Sequence, residues 1–372
     1  MPEPVTLICA GGGTGGHIYP AIAIAERLIE VAERPVRLVF LCSLRDVDAR
    51  VLSSEPLAKP PAIVEPIPAH PFSVGPRGLL RLAWHWGACV RTARAHIKRA
   101  RRDGSVHVLY TGGFVSAPVV RAAVAERCAG SLINLDAIPG KANRFVARHL
   151  LPENCLTAIP VAGDGAWNYV GPVVRRAAIA PASQGECRTR LGLDPSLRTL
   201  VVMGGSLGAE SISTLAARLA EDHAGALDGW QVFAITGRDK APPKIKSVPL
   251  VSVEYLSQIG LAWGAADLVL SRAGAGSVAE SARNRVPTVF FPYPGHKDQH
   301  QAANARVLAD AGGARISRDH RDTGLTLRDA GPMLTTLLRD GAELASMRSA
   351  LAAVGAGDGA DQTARHILLQ VQ

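Results

Sequence analysis

The chain is short of acidic residues. Against 41 Lys and Arg it carries 32 Asp and Glu, a formal charge of +9 over 372 residues. A surplus of that sign points to an anionic partner: nucleic acid, an acidic membrane, or a phosphorylated substrate. Cysteine is also scarce, with six residues at 9, 42, 89, 128, 155 and 187. None forms a CxxC pair or stands at metal-ligand spacing from a histidine, which excludes a disulfide scaffold and a zinc module. These read as reduced, mostly buried thiols. No uninterrupted apolar run approaches the ~18–20 residues that a membrane span needs. Met1-Pro2-Glu3-Pro4 leads straight into an apolar strand with no basic leader, so we expect no signal peptide and a cytoplasmic chain. Only 20% of residues are charged while 47% are hydrophobic, which excludes a disordered chain. At this length the apolar content suffices for two domain cores.

Short apolar runs alternate with longer amphipathic ones. Val5–Ala10, Val36–Cys42 and Val106–Tyr110 read as buried strands, and Ile18–Val31 reads as a helix with Pro20 near its first turn. The rhythm pauses around Val170–Pro172 and restarts with Thr199–Met203, Val232–Thr236, Leu268–Ser271 and Thr288–Phe291. This is the βαβ pattern of a doubly wound parallel sheet, written twice. We expect an N-terminal domain over residues 1–170 and a C-terminal one over 171–359, with a hinge near 171–176. A terminal helix within 360–372 is expected to pack back on the first domain.

Most strand exits are rich in glycine. Gly11, Gly13 and Gly16 form a literal GxGxxG between the first strand and the first helix. Bare amides at a helix start bind phosphate, so alone this segment suggests a dinucleotide site. Two features argue against NAD. The second strand ends in Ser43-Leu44-Arg45 rather than an acidic ribose ligand. The second half also carries its own loops, Gly204-Gly205-Ser206-Leu207-Gly208 and Arg272-Ala273-Gly274-Ala275-Gly276. Two Rossmann-like domains that both bind phosphate at strand exits suit a sugar-nucleotide transferase.

Five segments carry a more specific signal. Gly12-Gly13-Thr14-Gly15-Gly16-His17-Ile18-Tyr19-Pro20-Ala21, Gly112-Gly113-Phe114-Val115-Ser116-Ala117-Pro118 and Gly204-Gly205-Ser206-Leu207-Gly208-Ala209 occur in that order. Ser271 to Glu280 and His296 to Ala305 follow. Together they resemble the MurG family, the UDP-N-acetylglucosamine:lipid I N-acetylglucosaminyltransferases of glycosyltransferase family 28. The resemblance implies an α/β GT-B fold, two Rossmann-like domains facing a central cleft. It implies an inverting transfer without metal or cofactor, from UDP-GlcNAc to the C4 hydroxyl of MurNAc in lipid I, giving lipid II in peptidoglycan synthesis.

Carried over residue by residue, the resemblance places Thr14, Gly15 and Gly16 against substrate diphosphate. Arg175 stands at the arginine of the family's GNPVR segment, and Ser206 would bind donor phosphate. Leu256 would present backbone to the uracil, and Ala275, Gly276, Ser277 and Val278 would form the helix start under the nucleotide. Glu280 would take the ribose hydroxyls, and Gln301 and Asn304 would read GlcNAc. One stretch departs: the family has HEQNxxxGxxN where this chain runs from Ile133 to Asn143, keeping Gly140 and Asn143. Asp136 stands where the family has a donor-contacting asparagine, and an ionised Asp accepts hydrogen bonds but cannot donate them.

The transfer needs a base for the acceptor hydroxyl. His17 follows the first loop directly, and an unperturbed imidazole titrates near neutral pH, which makes it the first candidate, with Asp136 second. The alternative for His17 is a phosphate contact or a structural role at a helix start. For Glu280 it is complementing a helix dipole, for Ser206 an N-cap, for Gln301 and Asn304 a solvated face, and for Arg175 a surface ion pair.

The charge surplus is concentrated in one segment. Arg77, Arg81, Arg91, Arg94, Lys98, Arg99, Arg101 and Arg102 lie together with no Asp or Glu, among Leu79, Leu80, Leu82, Trp84 and Trp86. A cationic helix bearing tryptophan suits an anionic membrane surface; the alternative is a core helix with solvated charges. No nucleic-acid motif accompanies it, so no nucleic-acid partner is expected. The expected location is peripheral, on the cytoplasmic face of the inner (plasma) membrane. The rival readings are a transferase for another lipid-linked acceptor, a UDP-GlcNAc 2-epimerase, and a binding protein without turnover.

Overall fold

The computed structural model describes residues 3–54, 62–70, 76–161, 167–204, 210–295, 298–355 and 357–371. The chain divides into two compact units, Met1–Arg175 with Gly357–Gln372, and Arg176–Ala356.

Unit 1 is built on strands β1 (Val5–Gly11), β2 (Val36–Cys42), β3 (Ile63–Pro66), β4 (Ser105–Gly112), β5 (Gly130–Asn134), β6 (Cys155–Thr157) and β7 (Asn168–Tyr169). Their order is β3-β2-β1-β4-β5-β6-β7, with every pairing parallel. All of β1 is buried, as expected for a central strand covered on both faces. The chain winds outward from β1 to β3, then crosses to β4 on the other side of β1. The loops after β1 and β4 therefore flank the topological switch point, where open α/β sheets bind ligands.

Helices α1 (Gly15–Val31), α2 (Asp46–Ser54), α3 (Pro76–Arg101), α4 (Ser116–Ala125) and α5 (Lys141–Ala147) complete this part of the unit. The first helix starts at Gly15 rather than Ile18. Gly15, Gly16 and His17 thus form its first turn, where amides have no intrahelical partner, and Pro20 falls inside the helix.

The basic segment forms α3, and its C-terminal half is a core helix. Cys89, Ala93, Ile97 and Ala100 recur at helical spacing and are buried against Val106, Val108, Val119 and Val120. Several of its cations hold neighbouring structure. Arg94 Nε donates to Glu126 at 2.6 Å, Lys98 lies 3.7 Å from the same carboxylate, and Arg101 donates to the Glu126 and Arg127 carbonyls. Trp86 packs edge-on to Phe145, whereas Trp84 is 85% exposed. The side chains of Arg77 and Arg81 lie outside the described set. Among the described residues no helix is long and apolar enough to cross a membrane.

Unit 2 repeats the plan with β8 (Arg198–Met203), β9 (Trp230–Ile235), β10 (Leu250–Val253), β11 (Leu268–Ser271), β12 (Thr288–Phe290) and β13 (Ala314–Ile316). The order is β10-β9-β8-β11-β12-β13, again parallel, with its switch point between β8 and β11. Its helices are α6 (Gln184–Arg190), α7 (Glu210–Asp222), α8 (Gly260–Ala265), α9 (Ala275–Asn284), α10 (His300–Asp310), α11 (Thr323–Arg339) and α12 (Gly341–Val354). The period-2 alternation of β8 splits two cores. Leu200 and Val202 pack with α7 and α11, while Val201 and Met203 pack with Leu261 and Trp263 of α8.

The last helix, α13 (Gly359–Gln370), belongs to unit 1. Buried Arg27 of α1 donates to Asp358, the N-cap of α13, at 3.0 Å, and to the Val174 carbonyl at 3.3 Å. Arg34 and Ser105 both donate to the Val371 carbonyl, and His366 bonds Asn154. The segment up to Arg175 is held to α1 by these contacts, so unit 1 runs past residue 170.

Candidate functional site

In unit 1 the two glycine loops meet at the start of α1. Gly13 has φ +93°, and a Cβ there would lie 2.7 Å from the Phe114 ring. Gly113 has φ +76°, and a Cβ there would lie 2.5 Å from the Gly12 carbonyl. Only glycine allows both the left-handed backbone and this approach. A carboxylate absent from the sequence reading fixes the first loop. Asp48 is fully buried, and it accepts from Gly13 N on both oxygens and from the Ser43 amide and hydroxyl. Arg45 completes the frame, donating to the Gly13 carbonyl at 2.8 Å with its guanidinium over Phe114. The acid missing from the end of β2 therefore arrives from α2, facing inward.

Thr14 is the N-cap of α1 and makes no side-chain cap bond. Thr14 and Gly16 are exposed, while Gly15 is buried. His17 closes the first turn, clamped by Thr111. Its Nδ1 lies 3.0 Å from the Thr111 carbonyl, and the Thr111 hydroxyl donates to the His17 carbonyl at 2.7 Å. A carbonyl only accepts, so the neutral imidazole carries its proton on Nδ1 and its lone pair on Nε2. Burial pushes the His17 pKa below 6.5, against the opposing pull of the Thr111 carbonyl, Asp136 and Asp48.

Asp136 follows β5 within electrostatic reach of His17. Its position is set by a buried amide pair: Asn143 donates to Asn134 at 2.9 Å, and Asn134 donates to the Asp136 carbonyl at 2.7 Å. Arg175 is buried, with its guanidinium 4.2 Å from the centre of the Tyr19 ring on α1. Unit 1 thus brings together Thr14, Gly15, Gly16, His17 and Asp136, with Arg175 against the same helix.

Unit 2 places the remaining residues around α9. Ser206, His296 and Lys297 lie outside the described residues. Gly274 caps α9 without a side-chain bond, and a Cβ on Gly274 or Gly276 would meet nothing within 4 Å. The first turn, Ala275 to Ser277, therefore offers amides that the helix itself does not use, and the ladder begins with Val278 N donating to the Gly274 carbonyl at 3.1 Å. Glu280 is half-buried one turn further on, and its Oε2 accepts from Trp263 Nε1 at 2.8 Å. Leu256 follows β10, packed against the cluster that holds Trp263.

Gln301 accepts from the Tyr293 amide at 2.8 Å, which leaves its amide nitrogen as a donor. Asn304 is fully buried and reaches the Ala273 carbonyl at 3.5 Å, just before α9. Arg272, also missed in the sequence, braces this region. It pairs with buried Asp319 at 2.7 Å and donates to Ser211 and to the Phe291 carbonyl. Burial raises the Asp319 pKa, but the Arg321 amide and the Arg272 guanidinium together hold it below the usual carboxylate value. An arginine leaving a strand just before a glycine was the available signal.

Two family models match the chain. The glycosyltransferase family 28 N-terminal domain covers residues 7–151, and the family 28 C-terminal domain covers residues 199–363. A Nocardioides protein is 35% identical, covering 97% of this chain and 97% of its own length. This chain belongs to glycosyltransferase family 28. That relative is named a UDP-N-acetylglucosamine–N-acetylmuramyl-(pentapeptide) pyrophosphoryl-undecaprenol N-acetylglucosamine transferase. A protein of the same name from Mycobacterium tuberculosis is 33% identical, over 98% of this chain and 89% of the other. Among solved structures, MurG of Acinetobacter baumannii superposes with a TM-score of 0.70 at 22% identity, covering 100% of this chain and 99% of that one. That likeness shows the fold: the two Rossmann-like units of this family 28 chain are those of the GT-B class.

Proposed function

We propose that this family 28 enzyme transfers N-acetylglucosamine from UDP-GlcNAc to the MurNAc C4 hydroxyl of lipid I. The observation that carries the reading is the similarity, along 97% of the chain, to relatives named for this transfer. Unit 2 holds the donor. Uracil rests by Leu256, the ribose diol on Glu280, the diphosphate over the first turn of α9 with Ser206, and GlcNAc by Gln301 with Asn304 behind it. Unit 1 holds the acceptor, with its diphosphate at Thr14, Gly15 and Gly16.

The acceptor oxygen attacks the anomeric carbon as the bond to the UDP oxygen breaks, and the configuration inverts. The hydroxyl proton passes to His17 Nε2, whose lone pair is exposed by the Nδ1 bond to Thr111. Asp136 favours the imidazolium that forms. Arg175 and helix-start amides favour charge on the leaving diphosphate. The exposed Trp84 and the outward cations of α3 dock the enzyme on the anionic cytoplasmic leaflet, where the lipid-borne acceptor resides.

The test is incubation with labelled UDP-GlcNAc and lipid I, with other lipid-linked sugars, or with no acceptor. Disaccharide product with lipid I alone is the expected result. Product with another lipid-linked sugar only would reassign the acceptor, and UDP-ManNAc formed without acceptor would make the enzyme an epimerase.

A further inference from the structure

The indole of Trp263 has one hydrogen-bonding group, and that group is committed to Glu280. Trp263 is fully buried on α8, and its Nε1–H donates to Glu280 Oε2 at 2.8 Å. The ring is held among Val201, Phe233 and Val269. Helix α8 cannot shift easily. A Cβ at Gly260 would lie 2.2 Å from the Ile179 carbonyl, and one at Gly264 would lie 2.6 Å from Cys187 Sγ. Helix α9 is docked on the same segment. Asn284, one turn beyond Glu280, accepts from Ala180 N at 2.8 Å and donates to the Ala178 carbonyl at 2.9 Å. Packing therefore sets the distance between indole and carboxylate.

We propose that Trp263 is a positioning residue for donor recognition, fixing the plane of the Glu280 carboxylate so that it receives the two ribose hydroxyls. A glutamate on a helix surface samples several rotamers and loses that freedom on gripping a diol. A charge-assisted bond from an immobile ring selects one rotamer before the ligand arrives. The chemistry recognised is a nucleoside diphosphate with both ribose hydroxyls present. This inference rests on the assignment of Glu280 to the ribose. A purely structural bond, present only to satisfy a buried indole, makes a different prediction.

The experiment compares UDP with 2′,3′-dideoxy-UDP by calorimetry on the full chain and its variants. Glu280→Ala should weaken UDP but not the dideoxy analogue; equal effects on both would overturn the ribose assignment and the proposal with it. Trp263→Phe should weaken UDP about 10-fold, leave the analogue unchanged, and raise the KM for UDP-GlcNAc with little change in kcat. The double variant should be no worse than Glu280→Ala. If Glu280→Ala discriminates the two ligands and Trp263→Phe does not, the proposal alone falls. A second readout needs no substitution: the Trp263 indole N–H resonance should shift on adding UDP and stay put on adding the analogue. An indole signal that responds equally to both contradicts the proposal.

Discussion

Asp48 receives the Gly13 amide on both carboxylate oxygens, at 3.0 and 2.8 Å, with no exposure to solvent. That amide is consequently spent on the protein, so the proposed acceptor diphosphate is assigned to the amides of Gly15 and Gly16 instead. Asp48→Ala strands the Gly13 and Ser43 donors in the interior. We expect a loss of about 3 kcal/mol in denaturant unfolding, together with a raised KM for the acceptor and little change for the donor. An unchanged acceptor KM would contradict the role of Asp48 in shaping that loop.

His17→Ala should lower kcat by about 100-fold or more while leaving UDP affinity intact. Protonation removes the Nε2 lone pair, and burial holds the His17 pKa below 6.5. The acid limb of the kcat profile should therefore lie below pH 6.5, with a plateau above it. A limb centred above neutrality, or full activity in His17→Ala, contradicts the assignment.

Stability should fall in acid through a different histidine. His107 is buried in β4, bonded through Nε2 to Ser131, and burial pushes its pKa down from 6.5 to about 3. Between those values the unfolded chain takes up a proton that the folded chain refuses, so stability is lost as pH falls from 6.5 toward 3. The slope from this group is about 1.4 kcal/mol per pH unit. Urea unfolding between pH 7 and pH 4 measures it, and His107→Gln should flatten the profile.

Arg27 is buried between Asp358 and the Val174 carbonyl. Arg27→Met should cost about 3 kcal/mol by leaving those acceptors unmatched. The effect should appear in thermal unfolding and as faster hydrogen exchange in α13. Unchanged exchange there would show that α13 is held by its apolar face alone.

Much of the fold was legible because parallel strands read as short apolar runs and their exits carry glycine. The start of α1 was not, since nothing in Gly15-Gly16-His17 marks them as helical before the chain packs. Asp48, Arg272 and Trp263 act across 35, 47 and 17 residues of sequence respectively, and periodicity carries no information at such separations. The α3 segment was half legible. Its charge pattern is real, but Arg94, Lys98 and Arg101 hold the structure around Glu126 and Arg127. Only packing reveals which cations face outward.

That division gives the membrane prediction its form. Trp84→Ala with Arg91, Arg99 and Arg102 changed to Gln should abolish co-sedimentation with anionic vesicles at low salt, each arginine contributing about 1 kcal/mol. Unfolding midpoints should be unaffected. Retained co-sedimentation would make α3 a core helix with solvated charge.

A crystal structure with UDP bound tests the central claim most directly. The account predicts the uridine in unit 2, with its ribose hydroxyls on Glu280 and its phosphates over Ala275 to Val278. Uridine over the 11–17 loop of unit 1 would contradict it, reversing the roles of the two units and leaving His17 no acceptor to deprotonate.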